Sequence, residues 1–255
     1  GYNIPYTGTD IQLSNLLKTE IDLQSNRFQA YVQDEWSIGK NNRLEAIVGT
    51  RFNYWDVNDQ LLISPRLQLA YTPKLTLDST KVRAVDNFLT FRMAAGLYQQ
   101  PAFYREMRNS AGLLNTDLLA QRSAHFIFAS EYTFNISERP FKLTAEYYYK
   151  HLWDLVPYQV ENVLIRYSGK NEAIGYATGL DLRLNGEFVP GTDSWISLSV
   201  MQTKENLDND FFDRYYNSDG EQIISGITSN NTIVDTTRYY VGYVPRPSDQ
   251  RVNFG

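Results

Sequence analysis

Cysteine is absent from the 255 residues of this chain, and histidine occurs only twice. Without cysteine the chain has no disulfide framework and no thiolate nucleophile or metal ligand. Its two histidines, His125 and His151, are the only side chains of a type that ordinarily exchanges a proton near neutral pH. The sequence therefore offers little material for an enzyme active site.

Long apolar runs and a basic excess are also missing. Mean hydropathy is −0.43, and no apolar run approaches the ~20 residues of a transmembrane helix. The formal net charge is −5, and no basic patch stands out, so no nucleic-acid partner is expected. The sequence has no glycine-rich phosphate loop, no HExxH run and no zinc-spaced ligand set. We therefore expect no cofactor and no metal.

The sequence instead has segments of about ten residues in which apolar and polar side chains alternate. In 27–38 one parity holds Phe28, Ala30, Val32, Trp36 and Ile38, and the other holds Gln29, Tyr31, Gln33, Glu35 and Ser37. Successive side chains of a β-strand point to opposite faces, so this pattern predicts one apolar and one polar face. It recurs at 44–54, 67–72, 87–98, 126–134, 141–150, 180–188 and 194–204. About eight antiparallel strands are predicted.

The connections between these segments differ in length in a regular way. The short connections are 39–42, 56–60, 135–140 and 190–193, and the long ones are 99–122, 152–173 and 205–246. Hairpin connections are normally short, and loops longer than about fifteen residues are uncommon unless they are functional. An up-and-down strand order places every second connection at the same end. The long loops therefore gather at one end, and only the 73–87 link does not fit.

Two architectures contain strands of this kind. A soluble sandwich or lipocalin-like barrel buries the apolar face, whereas a transmembrane barrel turns it to lipid and its polar face to a lumen. Alternation alone does not separate them. The separation of short from long connections and the charged polar parity favour the transmembrane barrel. So do aromatic residues near the strand ends, namely Trp36, Tyr54, Trp55, Tyr71, Tyr132, Phe134, Trp153 and Trp195.

Six motifs, in order along the chain, resemble the barrel strands of TonB-dependent outer-membrane receptors. The first combines RFQAYVQDEW at 27–36 with GTRFNYW at 49–55. The next are ISPRLQLAYTP at 63–73, AGLYQQPAFY at 95–104 and AEYYYKHLWDLVP at 145–157. The last are GYATGLDLR at 175–183 and VPRPSDQR at 244–251. The resemblance covers nearly the whole chain.

This resemblance implies an all-β, antiparallel, up-and-down transmembrane β-barrel in the bacterial outer membrane. The family's barrel has about 22 strands and a plugged lumen, so residues 1–255 would be a segment of about eight to nine strands of one barrel domain. Short turns would be periplasmic, and the loops near 99–122, 152–173 and 205–246 extracellular. Such a receptor imports a scarce ligand with energy delivered through TonB. The ligand class stays open between a ferric siderophore or other chelate, an oligosaccharide and a peptide.

The resemblance also implies parts that this sequence does not show. We find no plug-like stretch and no TonB-contacting segment, and Arg251–Phe254 is expected to open a strand without a partner. Residues 1–5 carry no secretion signal, which we expect to have been removed. The expected partners are outer-membrane lipid, a plug domain, the TonB complex and a nutrient ligand. Two alternatives remain: a small self-closing outer-membrane barrel of porin or adhesion type, and a soluble sandwich or lipocalin-like binding module.

Candidate site residues follow from this interpretation. Ligand contacts are predicted at the top of the 87–98 strand and in the long loops: Tyr98, Gln99, Gln100, Phe103, Arg105, Arg108, Tyr158, Arg166, Tyr215 and Tyr216. Residues predicted to face the lumen and its plug are Glu45, Arg51, Arg66, Arg92, Glu131, Glu146, Asp181 and Arg183. These charges could hold a plug or pair with one another across strands.

No catalytic residue is predicted. His125 and His151 are expected at opposite ends of neighbouring strands, and Ser123 and Ser130 are expected to be neighbours of His125 in sequence only. A nucleophilic site needs a serine, a histidine and an acid within hydrogen-bond reach of one another. The acidic stretch 208–221 could supply oxygen ligands, but it lacks the spacing of a twelve-residue calcium loop.

Overall fold

The computed structural model describes residues 23–39, 43–73, 88–109, 112–161, 164–245 and 251–254. These residues form strands and loops and contain no helix, hence none long and apolar enough to cross a membrane. The strands are β1 Arg27–Ile38, β2 Leu44–Trp55, β3 Gln60–Tyr71, β4 Phe88–Gln100, β5 Gln121–Ile136, β6 Arg139–Leu155, β7 Tyr158–Glu161, β8 Leu164–Tyr167, β9 Ala173–Val189, β10 Thr192–Leu207, β11 Phe211–Tyr216, β12 Asp235–Tyr240, β13 Val244–Pro245 and β14 Arg251–Phe254.

The long strands form one antiparallel sheet. Its order is β1-β2-β3-β4-β5-β6-β9-β10, and both β13 and β14 pair with the far edge of β10. Each long strand therefore pairs with the next long strand along the chain. The predicted all-β, antiparallel, up-and-down arrangement is confirmed, and predicted strand 27–38 coincides with β1.

The register keeps the apolar parity of every long strand on the same side of the sheet. The row through the middle of this apolar face runs Trp36, Ala46, Leu69, Met93, Phe128, Tyr147, Leu180 and Val200. A slip of one residue anywhere would move polar side chains into this row. The alternation seen in the sequence is thus one continuous surface.

This apolar face is not covered by a second layer in the part of the chain that the structure describes. Its exposed large side chains include Phe28, Val32, Val48, Leu61, Ile63, Leu67, Met93, Phe126, Phe128, Leu143, Tyr147, Leu180, Ile196, Leu198 and Val200. Full burial of such a side chain stabilises a protein by about 1.5–3 kcal/mol. Roughly a dozen such side chains that stay half exposed to water lose on the order of 10 kcal/mol of hydrophobic stabilisation. This loss is comparable to the whole folding free energy of a domain.

The hydrophobic core lies among the loops at one end of the sheet. Trp55 is only 1% exposed, and it packs with Ala102, Met107, Leu118 and Val156. These residues come from the end of β2 and from the loops after β4 and β6. We call this set the loop core. Trp55 was expected among the aromatic residues near the strand ends, and the loops instead bury it.

The sheet is open along its first edge. Within the described residues β1 pairs only with β2, so the strands do not close as a small self-contained barrel would. The expectation that 251–254 has no partner is wrong, because β14 pairs with β10 from Leu198 to Met201. The turn residues 40–42 and most of the 73–87 link lie outside the described residues.

Two of the long connections contain hairpins of their own. β7 pairs with β8 inside the connection between β6 and β9, and β11 pairs with β12 inside the connection after β10. The flanking strands also extend further than predicted, since β5 begins at Gln121 and β6 ends at Leu155. The long loops are therefore shorter and more ordered than their sequences suggested.

Candidate ligand-binding site

The long connections lie at one end of the sheet, which we call the loop end. Because consecutive long strands alternate in direction, the long connections 101–120, 156–172 and 208–243 lie at the same end, together with the short connection 56–59. The two-residue turns 137–138 and 190–191 lie at the opposite end. The loops with enough chain to build a binding surface are thus brought together.

Buried polar side chains tie the loops of this end to one another. The Glu106 carboxylate accepts hydrogen bonds from the backbone N–H of Phe103 at 2.8 Å and from Nε2 of Gln121 at 3.0 Å. Oε1 of Gln121 accepts from the N–H of Val156 at 3.3 Å. The buried carboxylate of Glu106 therefore fixes the turn after β4. Gln121, which is bound to Glu106, links this turn to the loop after β6.

Asparagine side chains make further links across the loop end. Nδ2 of Asn171 donates to the carbonyls of Leu119 and Asp154, at 3.1 and 2.6 Å, and Oδ1 accepts from the N–H of Leu119 at 2.8 Å. Nδ2 of Asn115 donates to the carbonyl of Gly169 at 2.9 Å. The loops after β4 and β6 thus form one hydrogen-bonded unit above the loop core.

The predicted ligand residues of β4 lie on different faces of the sheet. Tyr98 and Gln100 lie on the polar face, whereas Gln99 has the apolar parity and its Nε2 donates to the carbonyl of Ile63 at 2.7 Å. The Tyr98 ring lies between two other side chains of the polar face. Its centre is 4.1 Å from that of His125 and 4.4 Å from the guanidinium carbon of Arg66.

The predicted ligand residues of the loops lie on three separate segments. Phe103, Arg105 and Arg108 are exposed on the 101–120 loop. Tyr158 and Arg166 lie on the β7–β8 hairpin, where the Tyr158 ring packs at a tilt against that of Tyr167, 5.9 Å away. Tyr215 and Tyr216 lie on β11. The structure brings the first two segments together through the asparagine contacts and keeps the third on its own hairpin.

The β11–β12 hairpin carries an arginine against aromatic rings on each of its faces. Asp213 accepts hydrogen bonds from Arg238, whose guanidinium carbon lies 3.7 Å from the ring centre of Phe211. On the other face the Arg214 guanidinium lies 4.7 Å from the ring centre of Tyr239. The hydrogen bond from Arg238 holds the pKa of the Asp213 carboxyl below its ordinary value.

Beyond this hairpin the acidic stretch folds around Asn217. Oδ1 of Asn217 accepts from the N–H groups of Asp219 and Glu221, at 3.0 and 2.9 Å, and its Nδ2 donates to the carbonyl of Asn230 at 3.2 Å. The amide is therefore used to close the turn. Nowhere in the described ranges do three or more histidine, cysteine, aspartate or glutamate side chains gather in a metal-binding group.

Two expectations about the histidines are wrong. His125 and His151 lie near the same end of neighbouring strands, since His151 pairs with Ala124. The start of one strand and the end of the next antiparallel strand always lie at the same end of a sheet, so the predicted strand order already implied this placement. Ser123 is also a neighbour of His125 in space, with its Oγ 2.8 Å from Nε2. Among the described residues the charges that flank His125 are the cations Lys150 and Arg66, whereas a catalytic triad places an acid against its histidine.

All eight predicted lumen residues lie on the polar face. One register row contains Glu45, Ala70, Arg92, Ala129, Glu146 and Asp181. Glu131 forms ion pairs with Arg92 at 3.4 Å and with Lys142 at 2.9 Å. Of the two roles considered for these charges, pairing across strands is thus observed for Arg92 and Glu131.

Sequence reasoning did not include His125 and Lys150 among the polar-face residues of interest. They are direct cross-strand partners, and the same row contains Arg66. The signal was present in the alternation, because His125 has the polar parity of β5 and Lys150 that of β6. What the sequence did not give was the register that aligns them.

Comparisons of the chain with protein-family models, with curated proteins and with solved structures return no match. The function is therefore argued from the geometry of the sheet and its loop end.

Proposed function

We propose that this chain is part of the barrel wall of a TonB-dependent receptor in the bacterial outer membrane. In this role the apolar face contacts lipid, the polar face lines a lumen that holds a plug domain, and the loop end faces outward to capture ligand. A TonB complex would supply the energy for import. The ligand is a ferric chelate, an oligosaccharide or a peptide.

The observation that carries this proposal is the continuous, exposed apolar face. A soluble sandwich or lipocalin-like barrel would bury the same side chains, because their exposure to water costs on the order of 10 kcal/mol. In a bilayer these side chains contact acyl chains instead, and the backbone of a paired strand has no unsatisfied groups. A sheet that spans the hydrocarbon region also needs a paired strand on each of its edges, because unpaired backbone groups are costly there. A larger barrel would supply these strands.

The polar face and the loop end support the same proposal. A lumen tolerates charged side chains such as Arg92 and Glu131, which pair with each other while remaining accessible to water. The buried loop core holds the long connections in place above the sheet, so that Phe103 and Arg105 are presented on an ordered surface. Binding proteins commonly carry their ligand-binding residues on loops that a rigid scaffold holds in place.

The test uses single cysteines, which are unambiguous because the chain has none. In the intact membrane-embedded protein, Met93→Cys, Phe128→Cys and Leu180→Cys place a fluorescent label on the apolar face. Ser199→Cys and Met201→Cys, each one residue along β10 from Val200 of the middle row, place it on the polar face at similar depth. We expect spin-labelled lipid to quench the label at the three apolar positions and to leave the two polar positions unquenched.

Recovery of the protein in the soluble fraction, or equal lipid quenching on both faces, would overturn the proposed location. Transport is tested separately, by growth of a deletion strain on ferric citrate and on oligosaccharides as sole carbon source. We expect a growth defect that loss of TonB reproduces. Growth that is unaffected by both deletions on every source would argue against an import receptor.

A further inference from the structure

One row of the polar face carries two cations, Arg66 and Lys150, with no acidic partner among the described residues. One continuous register row reads Gln33, Gly49, Arg66, Gly96, His125, Lys150, Ala177 and Thr203. We call it the cation row, after Arg66 and Lys150. It contains no aspartate or glutamate. The other cationic side chain nearby, Arg51, lies one row closer to the loop end and donates to Oε1 of Gln29.

Several other cations of the described chain have acidic partners at short range. Arg92 and Lys142 pair with Glu131, Arg122 pairs with Asp154 at 3.2 Å, and Arg238 pairs with Asp213. By contrast, the interactions of Arg66 and Lys150 within the described residues are ring contacts, to Tyr98 and Tyr148. The two adjacent rows contain one carboxylate each, Glu35 on β1 and Glu205 on β10. The row with both Glu146 and Asp181 lies four residues away along the strands, about 13 Å.

The cation row is also held in a fixed geometry. The rings of Tyr98 and His125 are stacked, with centres 4.1 Å apart and planes inclined by 25°. The Arg66 guanidinium lies 4.4 Å from the centre of the same Tyr98 ring, so its position is set and its N–H edges remain available. Ser123 adds a hydroxyl beside His125.

Small residues separate the cations along the row. Gly49 and Gly96 flank Arg66, and Ala177 follows Lys150. A Cβ at Gly96 would lie 3.1 Å from Cγ of Arg66 and 3.3 Å from the Tyr98 ring. Glycine at this position therefore allows the Arg66 stem to cross the strand.

We propose that the cation row is a binding site for a small polyanionic solute. Unpaired cations on one face repel one another, and an anionic solute with two or more charged groups relieves this repulsion through charge-assisted hydrogen bonds. Arg66 and Lys150 lie three strand spacings apart, about 14 Å at the backbone. Their long side chains can together contact one solute that carries several carboxylate or phosphate groups.

This inference rests on the proposed function only in taking the polar face as the transport path, and it then narrows the cargo to polyanions. The row lies near the loop end, on the side from which a ligand would enter. A neutral oligosaccharide has no charge to relieve the repulsion between these cations. We therefore do not expect the cation row to bind neutral oligosaccharides.

The test measures binding of citrate and of tripolyphosphate to the intact protein purified in detergent, by isothermal titration calorimetry at low ionic strength. We expect both anions to bind and sucrose not to bind. Arg66→Gln and Lys150→Gln should each weaken binding roughly tenfold or more. Lys142→Gln, on the same face but paired with Glu131, is the matched control and should change the affinity less than twofold.

A second variant guards against misfolding. Arg66→Lys keeps the charge and loses the planar stack on Tyr98, so its affinity should lie between wild type and Arg66→Gln. Absence of citrate and tripolyphosphate binding, or equal weakening by Arg66→Gln and Lys142→Gln, would overturn the inference. Neither result would contradict the proposed receptor, which the lipid-quenching and growth experiments test independently.

Discussion

The carboxylate of Asp213 accepts two hydrogen bonds from Arg238, at 2.8 Å from Nε and 3.0 Å from Nη2, across the β11–β12 hairpin. The two residues are direct cross-strand partners. Among the strands, β11 and β12 contact only each other. The hairpin is therefore ordered by its own contacts and by the adjoining loop, and this pair is an ion pair across its two strands.

Replacing Arg238 should loosen the hairpin without affecting the main sheet. Arg238→Ala removes the paired hydrogen bonds and the contact with the Phe211 ring, so amide hydrogen exchange in 211–216 and 235–240 should accelerate roughly two- to fivefold. Arg238→Lys keeps a charge near Asp213 and should have a smaller effect. Unchanged exchange in both variants would show that other contacts order the hairpin.

The same pair predicts how the hairpin responds to acid. The hydrogen bond from Arg238 lowers the pKa of Asp213 below its ordinary value of 3.8. A carboxyl with a depressed folded pKa stabilises the folded form at higher pH, and this contribution is lost as pH falls through the folded pKa. Hairpin protection should thus stay constant down to about pH 4 and fall only below it. Hydrogen exchange from pH 7 to pH 3 measures this, with Asp213→Asn as the variant in which the drop is absent.

Glu106 should be a structural residue of the loop end, although it lies among predicted ligand contacts. Glu106→Ala leaves the partly buried donors of Phe103 and Gln121 without acceptors, which costs at most about 1–3 kcal/mol for each group. The neighbouring Arg105 is exposed, so Arg105→Ala should leave stability unchanged. Limited proteolysis within 101–120 should accelerate in Glu106→Ala alone. Equal cleavage of both variants would contradict this role.

The fold could be predicted from the sequence where one physical rule dominated. In β1 the period of two runs from Phe28 to Ile38 with one interruption at Asp34, and the structure has the predicted bounds 27–38. The rule fails for β11, where FFDRYY places aromatic residues on both faces because each face stacks on an arginine. No alternation is left to detect, and the hairpin depends instead on cross-strand contacts 25 residues apart in sequence, such as Asp213 with Arg238.

The candidate site was predictable to a lesser extent, because it depends on register and burial. Trp55 has the position of an exposed strand-end aromatic residue, and only the folded 101–120 loop, with Met107, buries it. His125 and Lys150 could be assigned to the polar parity, but their alignment with Arg66 needs three strand registers. Contacts between distant segments decide both cases, and a local pattern does not encode them.

Gly179 should be intolerant of a side chain because the backbone is close. A Cβ there would meet the Tyr148 hydroxyl and would lie 2.8 Å from the carbonyl oxygen of Val200, which the sheet holds in place. Gly179→Ala should therefore destabilise the protein by about 1–3 kcal/mol. Gly49→Ala is the graded control, since its nearest atom, the carbonyl oxygen of Val32, lies 3.2 Å away.

The thermal transition of the detergent-purified protein, followed by circular dichroism, measures both glycine variants. We expect a clear drop in transition temperature for Gly179→Ala and a smaller one for Gly49→Ala. Adding Tyr148→Ala to Gly179→Ala should restore stability only in part, because the contact with Val200 remains. Complete rescue would show that the tyrosine ring alone determines the need for glycine.

A charge on the apolar face distinguishes a lipid environment from a watery one. Phe128 lies in the middle row of this face, next to Met93 and Tyr147. In a bilayer Phe128→Lys should destabilise the protein by about 2–4 kcal/mol, the cost of a lysine near the midplane on the lipid side of a barrel. In water the same change would replace an exposed apolar side chain with a charged one and would be neutral or favourable.

Thr144→Lys, on the polar face, is the matched control that should assemble normally in either environment. Membrane assembly of the intact protein, assayed by protection of its strands from added protease, should fail or decline for Phe128→Lys alone. Normal assembly of that variant would contradict a lipid-facing surface.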